Sequence, residues 1–114
     1  MHLEVTFKNL RPRDEVRQRA TALYNKMERF LDAHSNGQLV VNVEHNNAIL
    51  ELVVRAGGEI HTVTETHAEL RTALDKAFHT MEVRLRRAKE KRIDRGRHAG
   101  PAGDGFVAPS PNER

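Results

Sequence analysis

Hydrophobic and polar positions change period four times along the chain, and each change predicts a new element. Leu3, Val5 and Phe7 alternate with His2, Glu4 and Thr6, the period of two that a half-buried strand requires. Lys8 to Pro12 reads as a connection, and Pro12 suits the approach to a helix. From about Arg13 the spacing lengthens: Val16, Ala20, Leu23, Met27, Phe30 and Leu31 recur at steps of three and four, which predicts an amphipathic helix of about five turns. Gly37, after His34-Ser35-Asn36, reads as the glycine signal that ends it.

Three strands are expected next. Gln38 to Glu44 is rich in β-branched residues, and His45-Asn46-Asn47 reads as a turn because Asn tolerates positive φ. Ala48, Leu50, Leu52 and Val54 alternate with Ile49, Glu51, Val53 and Arg55, and Gly57-Gly58 is a two-residue hairpin signal before a last strand from Glu59 to about Glu65. Thr66 and Glu69 have the capping-box spacing. Leu70, Ala73, Leu74, Ala77, Phe78, Met81, Leu85 and Ala88 then mark one face of a helix reaching about Asp94.

The order β-α-β-β-β-α predicts an α+β fold, with two helices packed on one face of a four-stranded sheet. A right-handed crossover makes the first two strands parallel. The other sheet face should carry Glu4, Thr6, Asn42 and Glu44, although Val40, Ile49 and Val53 leave apolar side chains outside in either register. From Gly96 onward there are four Gly, three Pro and one aromatic without periodicity. Residues 1–95 are therefore expected to form one domain and 96–114 a disordered tail.

Composition excludes several classes of function. At 114 residues the chain has room for one core. No apolar run approaches the roughly 18 residues of a membrane span, and the N-terminus lacks a basic region followed by an apolar one. With no cysteine there is no disulfide framework, thiolate nucleophile or thiolate metal site. A cytoplasmic location is the expectation. The seven histidines show no His-x3-His or His-Glu-x2-His spacing, with His61 and His67 six apart and His45 and His79 isolated, so no metal site is expected. No phosphate-loop pattern surrounds Gly57-Gly58, and Ser35 and Ser110 have no triad order around them. No enzymatic activity, cofactor or small-molecule substrate is expected.

Charge changes the picture once it is divided by position. The net value is +3, yet residues 1–83 carry ten Lys and Arg against twelve Asp and Glu. Residues 84–97 carry eight cations against Glu90 and Asp94, and residues 98–114 come to −1. A basic block on a nearly neutral domain is the footprint of a polyanion partner, although cations at a helix C-terminus also complement its dipole. On the first helix Arg19, Lys26 and Arg29 share one flank of the apolar stripe. On the second, Lys76, Arg84, Arg87 and Lys91 share one flank, while Arg71, Arg86 and Lys89 lie on the far side and outer face. Helices packed side by side could merge such flanks into one basic surface.

The few aromatics, Phe7, Tyr24, Phe30 and Phe78, fall at or beside core positions, and Phe106 lies in the tail. No exposed platform for stacking unpaired bases is therefore expected, which leaves Arg and Lys contacts to phosphate and sugar. The scarcity of large apolar residues at the basic end of the helix disfavours membrane insertion.

Several motifs together resemble the bacterial ribosome hibernation promoting factor and ribosome-associated inhibitor family over roughly residues 2–93. They are Leu3-Glu4-Val5-Thr6-Phe7-Lys8-Asn9-Leu10, Lys26-Met27-Glu28-Arg29-Phe30, Val41-Asn42-Val43-Glu44, Ala73-Leu74-Asp75 and the basic ending Leu85 to Lys91. Arg71 and Ala88 stand where family members often carry an aromatic. The resemblance implies binding of rRNA in the decoding region of the small ribosomal subunit and silencing of translation under stress. It implies Lys26, Arg29, Arg84, Arg86, Arg87, Lys89 and Lys91 as rRNA-facing cations, to which Lys76 is added on helical geometry. A short form lacking the ribosome-pairing domain, monomeric when free, is the corresponding expectation. A general binder of double-stranded RNA and a protein-interaction module with a basic docking helix are the alternatives.

Overall fold

The computed structural model describes residues 2–98. Strand β1 (His2–Lys8) is followed by helix α1 (Asp14–Asn25), a 3-10 turn (Glu28–Phe30), strands β2 (Asn36–Glu44), β3 (Asn47–Ala56) and β4 (Glu59–His67), and helix α2 (Leu70–His98). The strands lie in the order β1-β2-β3-β4, the first pair parallel and the others antiparallel. Both helices cover one face, α1 toward β1 and α2 over β3 and β4. The expected fold class and the parallel pairing of the first two strands are therefore observed. The helix ends at His98, four residues past Asp94; residues 99–114 of the expected tail lie outside the described residues.

Register decides which alternating set is buried. Val5, Leu39, Leu52 and Val63 form one row across the four strands, all buried beneath the helices. From above, the core is closed by Val16, Ala20 and Tyr24 of α1 and by Ala73, Leu74, Ala77, Phe78, Met81 and Leu85 of α2. Every residue on the predicted stripe of the second helix points to this layer, with Leu70 and Ala88 only half-buried at its two ends. Val40, Ile49 and Val53 do fall on the outer face, each partly covered by its neighbours.

Three local expectations are corrected. The five-turn first helix stops at Asn25 and tightens, with Met27 N–H donating to Tyr24 O and Phe30 N–H to Met27 O. Three residues per turn eclipse Met27 and Phe30, so both side chains enter the core where an α-helix would splay Phe30 and Leu31 to either side of the stripe. Gly37 caps no helix. It belongs to β2 on the inner face, where a Cβ would lie 2.8 Å from Tyr24 Cε1. Nor do Thr66 and Glu69 form a capping box, because Thr66 is still in β4; the Glu69 N–H donates instead to His67 Nδ1 at 2.9 Å.

The two hairpins turn on left-handed residues, as two-residue connections between twisted strands demand. Gly57 and Gly58 have φ of +60° and +77°, while His45 and Asn46 reach 52° and 65° with full side chains. The sheet edges are closed by arginines: Arg17 donates to the Val5 carbonyl on β1 and Arg84 to the Thr62 carbonyl on β4. No helix among the described residues is long and apolar enough to cross a membrane.

Candidate nucleic-acid interface

Because β1 and β4 both end at the same side of the sheet, α1 and α2 start there and run back in parallel. Their C-terminal ends, the 3-10 turn and the β3–β4 hairpin therefore converge. An ion pair from Arg19 to Asp75, with Nε and Nη2 at 3.0 and 3.1 Å from the two carboxylate oxygens, ties the helices together midway. Further along, Arg29 Nη2 lies 3.6 Å from Glu82 Oε2 and Lys89 Nζ donates to the Arg29 carbonyl at 2.9 Å. The aromatic ring of Phe30 is capped by two cations, Arg29 at 4.8 Å and Lys89 at 5.8 Å from its centre.

The expected basic residues thus divide into two groups rather than one continuous flank. Arg29 and Lys89 meet over Phe30 between α2 and the 3-10 turn, and Lys26 is exposed just before that turn. Arg84, Arg87 and Lys91 lie on the opposite side of α2, above β4. Helical geometry places Arg86 near the first group and Lys76 a turn or more before the second, with the crest of α2, bearing His79, Val83 and Glu90, between them. Arg84 is anchored by the Thr62 carbonyl. The side chains of Lys26, Lys76, Arg86, Arg87 and Lys91 are exposed and make no hydrogen bond or ion pair with the described residues.

These partnerless cations matter electrostatically. A surface arginine already engaged by a carboxylate, as Arg19 is by Asp75, must break that contact before it can bind an anion. One without a partner offers its full charge and all its donors, and an arginine fork fits two phosphate oxygens at once. The outer sheet face offers nothing comparable: Glu4, Glu44 and Glu51 outnumber Lys8 and Arg55, and no aromatic side chain lies on it. Phe7 faces inward under Arg17, and Tyr24, Phe30 and Phe78 are buried, so none of these four rings is offered to an unpaired base.

Two residues escaped the sequence reading. Arg92, at the underside of α2 beyond the core, brings its guanidinium over the β3–β4 turn, where a Cβ on Gly57 would meet its Nη1 at 2.5 Å. His61, read in the sequence only for its six-residue spacing to His67, lies beneath Arg84, Arg87 and Lys91. Strand alternation alone puts His61 on the inner face, but only the path of α2 brings the cations to it. Among the described residues no group of three or more histidines, aspartates or glutamates is placed to hold a metal ion.

Comparison with known proteins places this architecture. The fold is similar to the N-terminal domain of Protein Y from Thermus thermophilus, with a TM-score of 0.71 and 24% identity over 76% of this chain and 98% of that one. It is similar also to a ribosomal subunit interface protein from Coxiella burnetii, with a TM-score of 0.64 and 17% identity over 79% of this chain and 99% of that one. None of the curated proteins compared with the sequence matches it. Residues 3–93, nearly the whole described region, match the family described as "Sigma 54 modulation protein / S30EA ribosomal protein", and the chain belongs to that family, the hibernation-factor family its motifs resemble.

Proposed function

We propose that the protein binds the small ribosomal subunit through rRNA phosphates and holds translation off by occupying the decoding region. The observation that carries this reading is the set of exposed, partnerless cations on and beside the C-terminal half of α2, in a chain of this ribosome-associated family. Arg86, Arg87 and Lys91 supply the strongest field, Lys26 and Lys76 extend it, and Arg29, Lys89 and Arg84 contribute from anchored positions. Each anchored cation retains donors beyond the one it uses within the fold. With no exposed aromatic for stacking among the described residues, recognition relies on the shape and charge of folded RNA rather than on unpaired bases.

Sedimentation with purified small subunits tests the reading. The chain should travel with subunits at low salt, and the triple variant R86E/R87E/K91E should remain at the top of the gradient and no longer inhibit translation in vitro. Its melting temperature should match the parent, since none of the three side chains has a partner to lose. Absence of the parent from every ribosomal fraction at low salt would overturn the reading. Equal affinity for an unrelated RNA duplex would favour a general double-stranded RNA binder instead.

A further inference from the structure

Strand β4 carries a histidine where its inner face calls for an apolar residue. His61 stands opposite buried Val54 and two residues before buried Val63, and its side chain is only 15% exposed. Its Nε2 is buried and has no hydrogen-bond partner among the described residues; Glu59 Oε1 lies 3.5 Å from it. Over the ring opens a hollow of about 300 Å³ lined by Glu59, His61, Arg84, Arg87, Ala88 and Lys91.

Each wall of this hollow has a physical cause. Arg84 is fixed at the rim because it donates to the carbonyl of Thr62, the residue after His61. Arg87 and Lys91 follow one turn apart on the same flank of α2, and both lack partners. Ala88 between them is too small to fill the space. Three cations against one carboxylate leave a surplus of positive charge over a ring whose Nε2, 3.5 Å from Glu59 Oε1, makes no hydrogen bond with the described residues. An anionic group with several acceptor oxygens satisfies all of these at once, and a phosphate meets arginine forks better than a single carboxylate does.

We propose that this hollow receives one phosphate group of the RNA backbone, and that protonated His61 holds it more tightly than neutral His61. The proposal rests on the RNA-binding reading above. Protonation makes both ring nitrogens donors and adds a positive charge facing the anion. The charged groups facing the ring are Glu59 from β4 and Arg84, Arg87 and Lys91 from α2, while β3 presents only Val54 and Ala56. Glu59 competes with the phosphate for the same donors. Anion binding and proton binding reinforce each other, so affinity rises as pH falls, by at most about tenfold per pH step of one for a single proton.

Two measurements on the full chain test this. In the first, the imidazole resonance of His61, identified by its loss in His61→Gln, is followed from pH 5.5 to 8.5 in sulfate and in chloride of equal ionic strength. Sulfate, a phosphate-like dianion throughout that range, should move the His61 titration to higher pH, and R87E/K91E should abolish the movement. A titration that sulfate leaves in place overturns the pocket. In the second, affinity for small subunits is compared at pH 6 and pH 8. The parent should bind about fivefold tighter at pH 6, His61→Gln should bring that ratio close to one, and Glu59→Gln should tighten binding at pH 8. His45→Gln, at the opposite end of the sheet, should keep the parent's ratio. Subunit binding with the same ratio in the parent and in His61→Gln overturns the proposal while the RNA reading stands. Failure of the parent to bind subunits removes the RNA reading, and the sulfate titration then decides the pocket alone.

Discussion

At Gly37 the ring of Tyr24 approaches so closely that β2 has no room for a side chain. A Cβ there would lie 2.8 Å from Tyr24 Cε1 and 3.1 Å from Leu3 Cδ1, and Tyr24 is itself buried and unable to swing away. Gly37→Ala should therefore lower stability by about 1–3 kcal/mol in urea unfolding, the usual cost of overpacking. Burial raises the Tyr24 hydroxyl above its ordinary value, and the nearby His2 backbone offsets part of the rise. Asp32 shows the opposite effect in the loop before β2. Its carboxylate accepts from the His34 N–H at 2.8 Å and from Ser35 Oγ at 3.3 Å, which holds it below the ordinary aspartate value. A group whose value is depressed by folding stabilises the fold above its unfolded value and loses that contribution as pH falls through the folded one. The melting temperature should accordingly decline below about pH 4, and Asp32→Asn should flatten part of that decline. Both residues were visible in the sequence, but the contact that gives each its role comes from a different segment or from a turn the periodicity did not define.

Among the elements, the strands and α2 follow their periodicity closely, and the departures occur where a tertiary contact competes with a local signal. The stripe of the first helix continues to Leu31, yet the backbone tightens at Met27 because eclipsing Met27 and Phe30 buries both. Thr66 has the spacing of a helix cap, yet pairing with Ile49 keeps it in β4. The β2–β3 turn holds His45 and Asn46 at positive φ, a conformation that costs a residue with a side chain roughly 1–2 kcal/mol and a glycine almost nothing. Replacing the pair by Asn-Gly should raise stability by about 0.5–1 kcal/mol, the gain being reduced by the added freedom of glycine in the unfolded chain. A lower melting temperature in the H45N/N46G variant would contradict the strain at this turn.

For the whole molecule, the distribution of charge is the property that bears on function. The outer sheet face is slightly acidic, while the C-terminal half of α2 is basic, with Lys26 and Arg29 beside it. If binding is carried by phosphate contacts, log K should fall linearly with log salt, by roughly 0.7–0.9 for each phosphate neutralised. The single variant R87Q should then show a slope shallower by roughly 0.7–0.9, together with an unfolding free energy within about 0.5 kcal/mol of the parent. Removing residues 99–114 should leave both the slope and the affinity for subunits near those of the full chain, and a large loss would give that segment a direct part in binding.

The spacing of apolar residues determined the element order, the inward face of α2 and the membership of most of the core. Those properties depend on the two-residue period of a strand and the 3.6-residue period of a helix, which are local and legible along the chain. The concentration of cations in residues 84–97 was equally plain in the sequence. Which of those cations stand free was decided only by tertiary structure, because the partners that anchor the others are far away in sequence. Lys89 finds the Arg29 carbonyl sixty positions away, and Arg84 finds Thr62 twenty-two positions away. The same holds for His61: its spacing among the other histidines was uninformative, and its place beneath Arg84, Arg87 and Lys91 exists because α2 runs back along β4.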